Sequence, residues 1–185
     1  MLNINKYVKQ FNLLFNYKNA VRPLSKIELE SIDKNKIAEL KKNKHLLESL
    51  DKWILFADRN LISDIRRLAT IIKSMEKHQR LVLYRGFNIS SVQENLNITN
   101  PKINSNYNYA TKERAVSFSK SKEIAKAFGE ILVETNIKND VDYLEITNEL
   151  NLIIHEMRNL KTIETQDEVI LLPPFEIDFK VINIL

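Results

Sequence analysis

The residues best suited to chemistry stand at the ends of three short apolar runs. In Leu81-Val-Leu-Tyr-Arg85-Gly86-Phe87, an arginine follows a strand-like run and precedes a glycine. Its planar fork can reach over a cleft and grip a phosphate or carboxylate through two parallel hydrogen bonds. In Ala115-Val-Ser117-Phe-Ser119, a period of two puts both hydroxyls on one side of a strand and Phe118 on the other. In Thr165-Gln-Asp-Glu168-Val-Ile-Leu-Leu-Pro-Pro174, the same period puts Gln166 and Glu168 on one face, with Asp167 opposite. Each stretch also has an ordinary account when taken alone: a solvated turn arginine, a strand end that caps the next helix, and polar residues at a strand entrance.

Composition removes several other chemistries. The chain has only two glycines, Gly86 and Gly129, so the glycine-rich loops that cradle nucleotide phosphates are excluded. It has no cysteine, which removes disulfides, thiolate catalysis and cysteine metal sites and fits a reducing, cytoplasmic setting. His45, His78 and His155 stand far apart without the close spacing of a metal site, so no metal is expected. The N-terminal stretch carries Lys6, Lys9 and Lys18 through its apolar positions, which argues against a classical secretory signal. No apolar run approaches the roughly 20 residues of a membrane span, so no membrane partner is expected.

Charge and periodicity divide the chain in two. Residues 1–80 hold 17 Lys+Arg against 9 Asp+Glu, whereas residues 81–185 hold 11 against 15. The basic half fits an anionic partner and equally a lysine-rich, solvated helical face. Its pattern is helical: an amphipathic stretch through Tyr7, Phe11, Leu14 and Phe15, then a capping box at Ser25 and Glu28 opening a helix to about Asn43. Leu61, Ile65, Leu68 and Ile72 follow at the spacing of a helix packed on one face. From Leu81 onward the runs LVLYR, AVSFS, EILVETNI, VDYLEIT, EVILLPP and FEIDFKVINIL read as strands. Two helices interrupt them, one capped through Ser91 and Glu94, the other running from Ser121 to a C-terminal glycine at Gly129. The expected fold is α+β: a helical lobe over residues 1–80 and a mainly antiparallel, two-sheet β sandwich over 81–185, together forming one compact unit.

Order, flanks and spacing together give the three stretches a common meaning. The chain resembles the Arg-Ser-Glu class of mono-ADP-ribosyltransferases, the cholera-toxin-like branch that includes bacterial exotoxins and the Mod and Alt enzymes of tailed phages. The resemblance rests on LYRG, on VSFSKSKEIAKAFG and on QDEVILLPP, and it covers about residues 80–185. It implies an NAD-binding core in which Arg85, Ser117 and Glu168 are catalytic. It further implies that Arg85, Gly86, Ser117, Ser119 and Phe128 face the NAD co-substrate, although helix-core packing accounts for Phe128 as well. The chemistry suits these residue types. Breaking the nicotinamide–ribose bond creates an oxocarbenium-like sugar, which a carboxylate and hydrogen bonds to the sugar hydroxyls stabilise.

Gln166 bears on the acceptor. The resemblance implies that the residue two before the catalytic glutamate meets the acceptor, with glutamate accompanying arginine, and glutamine accompanying Asn or Gln side chains or a guanine base. An amide offers one donor and one acceptor, complementary to another amide or to a base edge. Glu164, four residues before Glu168, lies too far away to share its strand face without a bulge, and it keeps an arginine acceptor open. The expected activity is transfer of ADP-ribose from NAD to a protein side chain. Transfer to guanine in nucleic acid, hydrolysis of NAD, and an inactive binding module are the alternatives.

Overall fold

Ser25 opens the first helix of the computed structural model, which describes residues 21–75, 81–89, 98–137 and 141–184. Its hydroxyl accepts from the Glu28 N–H, and the Glu28 carboxylate accepts from the Ser25 N–H at 2.8 Å, as the capping box predicts. Just before it, Arg22–Pro23 form a two-residue strand, β1. The long helix expected from Ser25 is divided into α1 (Lys26–Glu30) and α2 (Lys34–Lys41), because the Asp33 side chain accepts from the Asn35 and Lys36 N–H groups and starts a second helix. Then come α3 (Lys44–Phe56), a single 3-10 turn and α4 (Ile62–Lys73). The predicted stripe holds: Ile65, Leu68 and Ile72 are buried, and Leu61 packs at their edge. The amphipathic stretch from Tyr7 to Phe15 and the capped segment from Ser91 to Glu94 lie outside the described residues. No described helix is long and apolar enough to cross a membrane.

The second half supplies β2 (Val82–Phe87), β3 (Asn106–Thr111), β4 (Val116–Ser119), α5 (Lys122–Lys126), β5 (Ile131–Asn136), β6 (Tyr143–Glu145), α6 (Asn148–Arg158), β7 (Glu164–Thr165), β8 (Glu168–Leu171) and β9 (Phe175–Ile184). All six predicted strand runs form strands. The fold is α+β, with one antiparallel seven-stranded sheet in the order β3-β9-β5-β2-β4-β8-β6 and a two-stranded pairing of β1 with β7. This replaces the two-sheet sandwich expected from the sequence. The main sheet is continuous, yet a single residue pair, Tyr84 with Ser119, joins β2 to β4. Side chains from both sides of this narrow joint share one hydrophobic cluster, which includes Leu83, Val133, Phe175 and Ile177 from one side and Phe118, Val169 and Leu171 from the other.

A second cluster lies on the opposite face of β8. Ile170 and Leu172 pack there with Leu50, Ile65 and Leu68 of the helical half and with Leu150 and Ile153 of α6. All four residues from Val169 to Leu172 are completely buried, and removing each such side chain from water is worth roughly 1.5–3 kcal/mol. The strand that begins at Glu168 is therefore fixed from both sides.

Both glycines of the chain meet at one crossing. A Cβ on Gly86 would stand 2.4 Å from the Ala125 carbonyl oxygen, and one on Gly129 would stand 2.3 Å from the Phe87 carbonyl carbon. Neither glycine has a positive φ, so Gly129 is not the left-handed helix stop that the sequence suggests. It is required because β2 and the turn after α5 touch through their backbones.

Candidate active site

Arg85, Ser117 and Glu168 come from the neighbouring strands β2, β4 and β8 and meet at the joint in the sheet. Antiparallel pairing sets Ser119 opposite Glu168 and Ser117 opposite Ile170, so both hydroxyls and the carboxylate lie on one face. The Ser117 hydroxyl donates to Glu168 Oε1. Arg85 reaches the same serine from the other side, where its Nη1 donates to the Ser117 carbonyl. Its guanidinium carbon lies 5.0 Å from the centre of the Phe87 ring and 5.9 Å from that of Phe118, and its Nε is buried with no hydrogen-bond partner.

Burial dominates the electrostatics. It raises the pKa of Glu168 against the opposing pull of the Ser117 hydrogen bond and the charges of Arg85 and Arg158. It also lowers the pKa of Arg85, whose cation is only partly offset by Glu168. The result is a carboxyl group that is costly to ionise, held by a hydroxyl through one oxygen and unpartnered at the other. Such a group can accept a hydrogen bond from a sugar hydroxyl or face a developing cation.

The entrance to β8 departs from strand alternation. Asp167 adopts φ 49°, in the left-handed region, and separates β7 from β8. Its carboxylate takes a two-pronged ion pair from Arg22, Nε to Oδ2 at 3.1 Å and Nη2 to Oδ1 at 2.8 Å. The rest of the Arg22 fork binds Glu28 at 2.7 and 2.8 Å; Arg22, with the hydrogen bonds from Ser25, holds the pKa of Glu28 at about 2. Thr165 Oγ1 accepts from the Asp167 N–H at 2.9 Å, and the Lys120 N–H donates to the Asp167 carbonyl at 2.8 Å. Ser119 donates to the Gln166 carbonyl at 2.7 Å and accepts from the Ser121 N–H at 3.0 Å. Its hydroxyl is thus occupied in positioning Gln166 rather than open to a co-substrate. Gly86 likewise serves close packing, and Phe128, 38 % exposed, belongs neither to the core nor to the cavity beside Glu168.

That cavity, of about 50 Å³, lies between the β7–β8 entrance and α6. Glu164, Gln166 and Glu168 line it from one side, and Asn151, His155 and Arg158 from the other. The left-handed turn at Asp167 brings Gln166 and Glu168 together, where the sequence reading relied on alternation. The pairing of β7 with β1 brings in Glu164, which the spacing sets too far away. The α6 residues were missed altogether. Their signal was present: Thr147 caps the helix, and residues 151, 155 and 158 recur at i, i+4 and i+7 on one face. Among the described residues no group of His, Asp and Glu gathers as metal ligands. Comparison with protein-family models, curated proteins and solved structures finds no match to this chain.

Proposed function

We propose that the chain is a mono-ADP-ribosyltransferase that cleaves NAD at the nicotinamide–ribose bond and passes ADP-ribose to a protein side chain. The observation that carries this reading is the Ser117 hydroxyl bound to a buried Glu168 whose second oxygen is free, with Arg85 fixed behind the same serine. Glu168 accepts a hydrogen bond from a ribose hydroxyl and balances the positive charge that grows on the sugar as nicotinamide leaves with the bonding electrons. Ser117 keeps that carboxylate in one orientation. By the resemblance, Arg85, anchored at Nη1 to the Ser117 carbonyl, is the cation that holds an anionic part of NAD. The acceptor nucleophile then attacks the anomeric carbon from the side opposite the departing ring, with inversion.

The test is to incubate the protein with labelled NAD and a cell lysate, with Glu168→Gln in parallel, and to treat the products separately with protease and nuclease. Label in protease-sensitive material that falls by about 10²–10³ in the variant supports the reading. Label in nuclease-sensitive material selects guanine as the acceptor, and free ADP-ribose alone selects hydrolysis. Intact NAD in every wild-type reaction overturns the assignment.

A further inference from the structure

Glu168 is only 9 % exposed, and the cavity it lines measures about 50 Å³. At roughly 10–15 Å³ for each water-sized position, that is room for three to five waters and far too little for a dinucleotide. A large co-substrate can meet Glu168 only by displacing part of the wall, and the walls differ in what holds them. α6 is anchored by Leu150, Ile153 and Ile154 in the cluster under the helices, and Ile54 of α3 packs on the same cluster. β8 is buried on both faces. The other wall is a strap made of the short strands β1 and β7, with Val21 at one end and Gln166 at the other. None of residues 21–24 or 163–167 belongs to either hydrophobic cluster of the described residues, buried Leu24 included.

Polar links hold the strap instead. Arg22 pairs in register with Thr165 and Pro23 with Glu164, and the Leu24 N–H donates to the Ile163 carbonyl at 3.0 Å. Asn151 donates to Thr165 Oγ1 at 3.1 Å. The Arg22 fork then ties the strap at both ends, to Asp167 beside Glu168 and to Glu28 of α1. The Arg22 side chain is 39 % exposed, and ion pairs that water reaches are individually weak. A segment with exposed polar links and few apolar contacts opens locally while the rest of the fold stays intact.

We propose that β1 and β7 form a gate over Glu168, latched by Arg22 in its closed state, and, building on the transferase reading, that NAD reaches Glu168 only when the latch releases. The helical half thereby controls access to a carboxylate of the strand half. The direction of the effect separates this role from simple support: cutting a supporting ion pair lowers activity, whereas cutting a latch raises it.

The chain has no cysteine, so a single introduced thiol reports access to the site without competition. Glu168→Cys should react slowly with iodoacetamide in the absence of NAD. Adding Arg22→Ala should speed that reaction about fivefold and leave amide exchange of β5 unchanged. Equal alkylation rates, or faster exchange throughout the sheet, overturn the gate. A cross-link tests the same idea within one protein. Pro23→Cys with Glu164→Cys puts thiols on facing residues of the strap, where antiparallel partners lie about 4.5–5.5 Å apart, within disulfide reach. The oxidised form should cleave NAD about tenfold more slowly than the same protein reduced with dithiothreitol, and Arg22→Ala should cleave it faster than the parent. If the oxidised and reduced forms cleave NAD equally, the gate falls and the transferase reading stands. If NAD stays intact in every form while alkylation responds to Arg22→Ala, the transferase reading falls and the gate over Glu168 stands.

Discussion

On one face of β8, Val169 and Leu171 pack into the cluster that spans the joint in the main sheet; on the other, Ile170 and Leu172 pack against the helices. Glu168 continues the second row, toward the helices and the cavity. Arg85 belongs to the first, in phase with Leu83 and Phe87 and close to Phe118. The carboxyl group of Glu168 and the guanidinium of Arg85 therefore lie on opposite sides of one layer of strands. Ser117 touches both, through its hydroxyl on one side and its carbonyl on the other. The two apolar rows hold the scaffold, and one residue of β4 transmits position between the charges.

The most direct way to break this arrangement is Ser117→Ala, which removes the hydroxyl and keeps the carbonyl that holds Arg85. A hydrogen bond to a charged group is worth about 1.5–3 kcal/mol, so the proposed NAD cleavage should fall roughly 10- to 100-fold with NAD affinity changed far less, as steady-state kinetics would show. A smaller effect should appear in stability on the Glu168 side. Burial raises the pKa of Glu168 in the fold above the ordinary 4.5, so the native state holds that proton more tightly than the unfolded chain. The group therefore costs nothing below the unfolded value and destabilises progressively as pH rises through the folded one. Glu168→Gln should be more stable than the parent in urea at pH 7.5, and the gain should vanish near pH 4.

The smallest effect concerns the entrance to β8. Arg22→Ala removes the ion pairs to Asp167 and Glu28, and because the arginine is partly exposed the loss should be about 1 kcal/mol at neutral pH. Glu28 has a folded pKa near 2, depressed from 4.5, so its share is present above the unfolded value and lost as pH falls from 4.5 toward 2. Acid titration of the unfolding midpoint should show the variant and the parent converging over that interval.

The strands were legible because their aliphatic runs are long and bounded by polar segments. The trio of Arg85, Ser117 and Glu168 was legible because each closes or opens such a run, and the structure brings all three together. β3 escaped notice because Asn-Tyr-Asn-Tyr-Ala-Thr contains no aliphatic run; its tyrosines gain their place by packing on Phe175 and Phe179 of β9. The entrance to β8 was misread for a different reason. The left-handed turn at Asp167 is held by Arg22, 145 residues away in sequence, and by Ser119 and Lys120 of the neighbouring strand turn. No local period contains that information. Glu164 reaches the cavity through the pairing of β7 with β1, and α6 through its packing on the helices and the bond from Asn151 to Thr165.

The crossing of Gly86 and Gly129 sets a limit of another kind. Backbone touches backbone there, so the separation between the strand of Arg85 and the helix that follows the two serines is fixed by atomic radii, not by any balance of attractions. Mutation elsewhere can loosen the core by degrees, but this spacing has no room to shrink and, while both glycines remain, no side chain to widen it. The molecule carries a mechanical stop next to its candidate site, and the geometry of Arg85 relative to Ser117 is gauged against it.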